Sequence, residues 1–382
     1  MLRLKRILLF CVIVPLIVSA QKEYNGRVLD AKTNAPIPYV NIGIVNSGIG
    51  TVSDEEGLFH LSFDDIEPLA DENILFSSLG YQPLEIPVSK IELVYNEYPV
   101  VRLTPEAVRL EEVVVTNIET EFVDELVGNK NSFGTKTYGY WKENVALGGE
   151  LASRIKVKKG YRKLNALGFE IAANEMDSVL LRINIYDIPG TKNGPKINLN
   201  KSGRNILFKL RKTDTYPRID LTEYSIYVED DFIVSLELIK VFGNDPVALV
   251  IPAIQNETDS YRRYASQDKW EWISDYGMAY YLETSVLLSK NEVERVRLKE
   301  SKRRKKMERI YGFVINNGIM LSEVRITNSR TKESVMTNEN GTYSIYGKSS
   351  DVICFEKPNY KTRCIKAKRN VSLNVQMALD NR

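Results

Sequence analysis

The sequence predicts an all-β chain, and three observations carry that reading. The composition is strand-like, with 21 tyrosines among 382 residues, many β-branched side chains and frequent Gly, Asn and Asp punctuation. Apolar and polar residues alternate with period two in run after run, as in "SVLLRINIYDI" (178–188) and "DFIVSLELIKV" (231–241). Finally, "TVSDEEGLFHL", Thr51 to Leu61, returns as "VMTNENGTYSI" ending at Ile345, at a constant offset of 284 residues.

In chain order, residues 1–20 read as a secretory signal peptide. Arg3, Lys5 and Arg6 precede an apolar run from Ile7 to Val18, and Val18-Ser19-Ala20 is a small-residue cleavage site before Gln21. The run is shorter than the roughly 20 residues of a spanning helix. Cys11 lies inside it, away from the cleavage site. The whole chain carries a formal net charge of +2, about −1 without the leader, so global charge gives no argument for a nucleic-acid or membrane partner.

The repeat defines two equivalent modules, expected at 21–104 and 309–382. Val40 and Val324, Ile42 and Ile326, Asp54 and Asn338, Gly57 and Gly341, Phe59 and Tyr343, and Leu61 and Ile345 all pair at the same offset. Asp54 or Asn338 folds its side chain back onto the backbone, and the glycine supplies the positive φ that closes a short hairpin loop. Beyond it, Phe59 and Leu61 point to one side and His60 to the other, as in a half-buried strand.

The stretches "GRVLDAKTNAPIPYVNIGI", "GTVSDEEGLFHLSF" and "ILFSSLGYQPLEI" resemble the carboxypeptidase-regulatory-like domain, a small transthyretin-related sandwich found at the N-terminus of starch-utilisation-type TonB-dependent transporters. The resemblance covers about 23–103. The C-terminal copy is similar but divergent, lacking the Pro36-x-Pro38 pair and replacing "SLGY" with "KPNY". It implies two seven-stranded Greek-key, prealbumin-like sandwiches flanking a larger central β-sandwich or jelly roll at 126–289. The chain is then expected to be exported, periplasmic or outer-membrane associated in a Gram-negative envelope. Residues 105–125 are expected as a connector. Within it "RLEEVVVTN" (109–117) resembles the segment of the transporters that engages the TonB protein by strand addition; the plainer reading is that Val113 to Val115 form a last strand or connector. Residues 290–308 read as a basic linker, the stretch Lys290–Arg309 holding ten basic and four acidic residues. That stretch is either solvated or attracted to anionic phosphates.

No catalytic, metal or cofactor residue is assigned. The single histidine, His60, cannot supply the two-His-and-Glu set of a zinc carboxypeptidase or the base of a serine or cysteine triad. No glycine-rich loop opens a helix to hold phosphate. Glu237 is expected on the polar face of its strand, but a glycosidase needs a pair of carboxylates and spacing identifies no second one. Two ligand expectations remain. Trp270, Trp272, Tyr276 and Tyr280 form either part of the core or an aromatic face for a polysaccharide. Cys354 and Cys364, in strands joined by "KPNY", are either a disulfide across a hairpin or two separate buried thiols. The chain is therefore expected to be a non-catalytic structural or protein-interaction module of the envelope, with the TonB-dependent transport machinery as a candidate partner. Glycan binding through the central region is the alternative, and a carboxylate-dependent glycoside hydrolase a remoter one.

Overall fold

The structure is a computed structural model that describes residues 22–63, 69, 71–90, 100–106, 119–129, 137–141, 146–188, 194–243, 247–255, 258–305, 307–331, 333–368 and 372–380. The leader and the 109–117 motif lie outside the described residues. The chain is all-β, built of several small antiparallel sheets.

The N-terminal module contains β1 (Lys22–Asp30), β2 (Asn41–Ile44), β3 (Gly50–Val52), β4 (Leu58–Phe63), β5 (Asn73–Ser77), β6 (Leu84–Pro87) and β7 (Val100–Leu103). Strands β4, β1 and β7 make one sheet and β3, β2, β5 and β6 a second. Alternation along these strands turns Val28, Ile42, Ile44, Phe59, Leu61, Ile74 and Phe76 into one buried cluster.

The C-terminal module contains β23 (Glu308–Asn316), β24 (Ile319–Met320), β25 (Arg325–Asn328), β26 (Ser334–Met336), β27 (Thr342–Gly347), β28 (Val352–Glu356), β29 (Arg363–Lys366) and β30 (Val375–Gln376). Its sheet orders repeat those of the first module: β27 and β30 flank β23, and β26, β25, β28 and β29 follow one another. Each module has one parallel pairing, β1 with β7 and β23 with β30. The equivalence extends to single bonds. The buried hydroxyl of Ser53 accepts from Val40 N–H and donates to the Ile37 carbonyl, and Thr337 does the same with Val324 and Leu321. Phe59 meets Phe76 edge-on at 5.6 Å, and Tyr343 meets Phe355 at 5.4 Å.

The turn geometry follows from the residues that encode it. Asp54 Oδ1 accepts from the N–H groups of Glu56 and Leu58, and Asn338 Oδ1 from those of Asn340 and Thr342. Gly57 and Gly341 have φ of 73° and 66°, and a Cβ on Gly57 would lie 2.5 Å from the Val28 carbonyl oxygen. Any larger residue there strains the backbone and opens the turn.

The central region contains β8 (Thr120–Gly128), β9 (Thr137–Trp141), β10 (Glu150–Ile155), β11 (Arg162–Phe169), β12 (Ala173–Asn174), β13 (Ser178–Asp187), β14 (Ile206–Arg211), β15 (Arg218–Asp220), β16 (Tyr227–Val228), β17 (Phe232–Phe242), β18 (Leu249–Gln255), β19 (Ser260–Arg263), β20 (Glu271–Ile273), β21 (Tyr276–Met278) and β22 (Tyr280–Ser289). A six-stranded sheet runs β14-β13-β17-β10-β19-β20, and a second sheet runs β15-β11-β22-β8. The largest core gathers one face of the six-stranded sheet, including Leu181, Ile183, Ile185, Val234, Leu236 and Leu151. Strand β8 begins at Thr120, so 120–125, expected as connector, is already strand paired with β22.

The basic stretch is helical. Lys290–Lys305 forms α1 directly after β22. Long unbranched side chains favour helix, and Glu292 reaches back to accept from the backbone N–H and hydroxyl of Ser289, as in a capping box.

Candidate functional site

The second face of the six-stranded sheet is polar, and it is buried. Strand register aligns Arg182 of β13 with Glu237 of β17, Glu237 with Glu150 of β10, and Glu150 with Arg263 of β19. Four charged residues thus stand in one row across four adjacent strands, two carboxylates flanked by two guanidinium groups. Their exposures are 4 % for Arg182, 0 % for Glu237, 1 % for Glu150 and 8 % for Arg263.

Each carboxylate has its own set of donors. Arg182 holds Glu237 at two points, Nε to Oε2 and Nη2 to Oε1, both 2.7 Å, and Asn184 Nδ2 adds a third bond at 2.8 Å. Glu150 accepts from Ser235 Oγ at 2.5 Å, from Tyr186 OH at 3.2 Å and from Arg263 Nη2. Burial opposes ionisation at Glu237, but the bidentate Arg182 outweighs it and holds the carboxyl below its ordinary range. At Glu150 burial prevails over Arg263, aided by the Glu237 charge beside it, and the carboxyl is pushed up. Two like charges in directly opposed strand positions repel, so the flanking arginines are required by the row itself.

The N-terminal module closes over this row. Arg182 Nη1 donates to the Tyr39 carbonyl at 2.7 Å and Nη2 to Asn41 Oδ1. Lys240 pairs with Glu55 at 2.9 Å, and Gln267 Nε2 donates to Ser77 Oγ at 2.7 Å. A close backbone approach is made by two glycines that oppose each other across β2 and β3, Gly43 and Gly50. A Cβ on either would fall 2.4 or 2.2 Å from the Ser266 carbonyl oxygen, so the pair forms a notch that only glycine leaves open.

Beside this junction lies a cleft of about 880 Å³, lined by Asn41, Ser77 and Glu106 on one side and by Arg182, Arg263 and Trp270 on the other. The aromatic residues named from the sequence are not gathered there. Trp270 reaches the cleft, with Arg263 4.9 Å from its ring centre and the edge of Tyr186 at 6.3 Å. Trp272 is on β20, the outermost strand of the six-stranded sheet, and is 37 % exposed. Tyr276 belongs to β21, in a different sheet. Tyr280 is fully buried in the main core, where its hydroxyl donates to the Leu151 carbonyl. The four therefore form no common face.

Glu237 does not open onto a groove as an isolated carboxylate; it is spent on Arg182. Its cross-strand neighbour Glu150 is the carboxylate that spacing along the chain did not reveal. The available signal was Arg182-x-Asn184-x-Tyr186, a polar set at period two inside an otherwise apolar strand. His60 is exposed and bonded through Nδ1 to Asn25. Cys354 and Cys364 stand directly opposite each other on β28 and β29 and are joined as a disulfide. Among the described residues no group of three or more His, Cys, Asp or Glu side chains is placed to hold a metal ion, and no helix is long and apolar enough to cross a membrane.

Residues 24–115 match the CarboxypepD_reg-like domain family, and that region is a carboxypeptidase-regulatory, transthyretin-related domain. The match runs through Val115 and so includes most of the 109–117 motif. No curated protein matches the chain. Among solved structures the chain is similar to BcpA, the major pilin subunit of Bacillus cereus, at 9 % identity over 94 % of this chain and 100 % of that one, with a TM-score of 0.16. The T6 backbone pilin of Streptococcus pyogenes matches at 9 % identity, covering 91 % and 80 %, with a TM-score of 0.13. The group B streptococcus pilus 2b backbone protein matches at 10 % identity, covering 63 % and 95 %, with a TM-score of 0.14. Scores this low carry no argument about this chain.

Proposed function

We propose that the chain is an exported cell-envelope protein in which two regulatory-like sandwiches flank a central β-sandwich and present surfaces to a partner protein. The observation that carries this reading is where the large exposed apolar side chains lie. Of the thirteen large apolar side chains exposed among the described residues, six belong to the C-terminal module, namely Tyr311, Ile319, Met320, Met336, Val352 and Leu379, and Ile319 is the most exposed at 71 %. Ile319 and Met320 stand next to each other on the β23–β24 hairpin, and an exposed apolar pair at such a tip fits a surface that another protein covers. A component of the TonB-dependent transport machinery is the partner suggested by the N-terminal resemblance.

The buried row argues against hydrolysis. A general acid or a nucleophile needs access to substrate and a proton to exchange, whereas Glu237 and Glu150 are enclosed and each is bonded to an arginine.

A photo-crosslinking residue at Ile319 in living cells tests the proposal. A discrete adduct with one envelope protein, lost when Met320→Glu is added and absent from a crosslinker at His60, is the expected result. Equal, diffuse labelling from both positions would remove the support for a docking surface on the C-terminal module.

A further inference from the structure

We infer that the cleft between the N-terminal and central modules is a saccharide-binding site, taking a short oligosaccharide recognised by hydrogen bonds rather than by ring stacking. The inference is independent of the partner-protein reading, since it concerns the opposite end of the chain.

Size is the first argument. At about 880 Å³ the cleft falls within the roughly 300–1,000 Å³ of small-ligand sites. Such sites are mostly apolar; this one is lined by amides, hydroxyls and charges, including Asn41, Ser77, Asn184, Asn198, Asn205 and Gln267. That chemistry excludes an apolar ligand, which would strand those groups without water or partner.

Two buried groups in the lining have bonding capacity left over. Arg263 is 8 % exposed; its Nη2 is used by Glu150, but its Nε finds no acceptor. Asp268 is also 8 % exposed. Its carboxylate accepts from the Lys269 backbone N–H, and no cation pairs with it among the described residues. The orphaned Arg263 Nε calls for an acceptor, and the Asp268 carboxylate can accept from a donor. A hydroxyl group is both, and a sugar carries several on a rigid ring. The lining carries both signs of charge, Arg182, Lys196, Arg263 and Lys269 beside Glu106 and Asp268, and the hydroxyls of a neutral sugar can bond to groups of either sign.

Trp270 acts as a wall. Arg263 sits over its ring, and a Cβ on Gly194 would lie 2.2 Å from its indole, so the ring is already packed. The site is also preformed, because the Arg182 and Gln267 bonds to Tyr39, Asn41 and Ser77 fix its two sides before any ligand arrives.

Isothermal titration of the full mature chain with a panel of neutral and uronic-acid-containing di- and trisaccharides tests this. The expected result is binding to at least one sugar, weakened at least about tenfold by Asp268→Asn and by Asn205→Ala, with unchanged melting temperature. Trp272→Ala, on the outer strand, leaves it unaltered. The inference fails if no panel member binds the wild-type chain. It fails equally if binding survives both cleft substitutions and is lost with Trp272→Ala, which would move the sugar to the exposed edge.

Discussion

Asp351 is 3 % exposed and takes Arg330 at two points, with Asn328 Nδ2 and the Lys348 backbone N–H adding further bonds. Burial alone would raise its pKa, but Arg330 and these donors prevail and lower it to about 2. The folded chain therefore binds fewer protons here than the unfolded chain, whose Asp titrates near 3.9. The associated stability is full above about pH 4 and is lost as pH falls towards about 2. Hydrogen exchange of the β28 amides in wild type and Asp351→Asn checks this: the difference in protection should be large at neutral pH and shrink on acidification, and a constant difference would exclude the linkage. At this scale, locality decided what the sequence revealed. The Asp54 and Asn338 turns were legible because the bonds that make them span two to four residues. Glu150 and Arg263 were not, because their partnership crosses 113 residues.

The hairpin of β28 and β29 shows how an element can be half written in the sequence. Spacing leaves a disulfide across a hairpin and two separate thiols open for Cys354 and Cys364, and only register places the two opposite each other, ten residues apart. Cys354→Ser is expected to cost about 2–3 kcal/mol through the released unfolded chain. The readout is a lower melting temperature of the C-terminal module by calorimetry, matched by wild type under reductant. Wild type without reductant should also resist alkylation at both residues. Helix α1 is the reverse case. Its charge reads as a basic linker, either solvated or attracted to anionic phosphates, while the Ser289 and Glu292 pair that starts the helix stands in the same sequence. Strand β13 was recognised as a strand by its alternation, but alternation cannot say whether a polar face meets water or another module.

The glycine notch governs the whole molecule. Gly43 and Gly50 allow the Ser266 backbone to approach, and that contact brings Tyr39 and Asn41 over Arg182. Gly50→Val is expected to hold the N-terminal module off the central sheet while each keeps its own core. Small-angle scattering should show a larger radius of gyration, and Arg182 should lose two hydrogen bonds that each contribute about 1.5–3 kcal/mol when made to a charged group. Unchanged scattering would mean that the notch does not set the docking. The cleft exists only because of this docking, so the same variant should abolish saccharide binding if the site is as inferred.

Composition, period-two alternation and the 284-residue repeat were enough, by themselves, to determine that the chain is all-β and that it carries one module twice, because turns and strand faces are encoded by near neighbours. The tertiary structure alone decided that the polar face of β13, β17, β10 and β19 is an interior. It also decided that its four charges neutralise one another in a row and that a cleft opens beside them. Those outcomes depend on strand register and on the meeting of two modules, which join residues from 53 to 190 positions apart and leave no periodic trace along the chain.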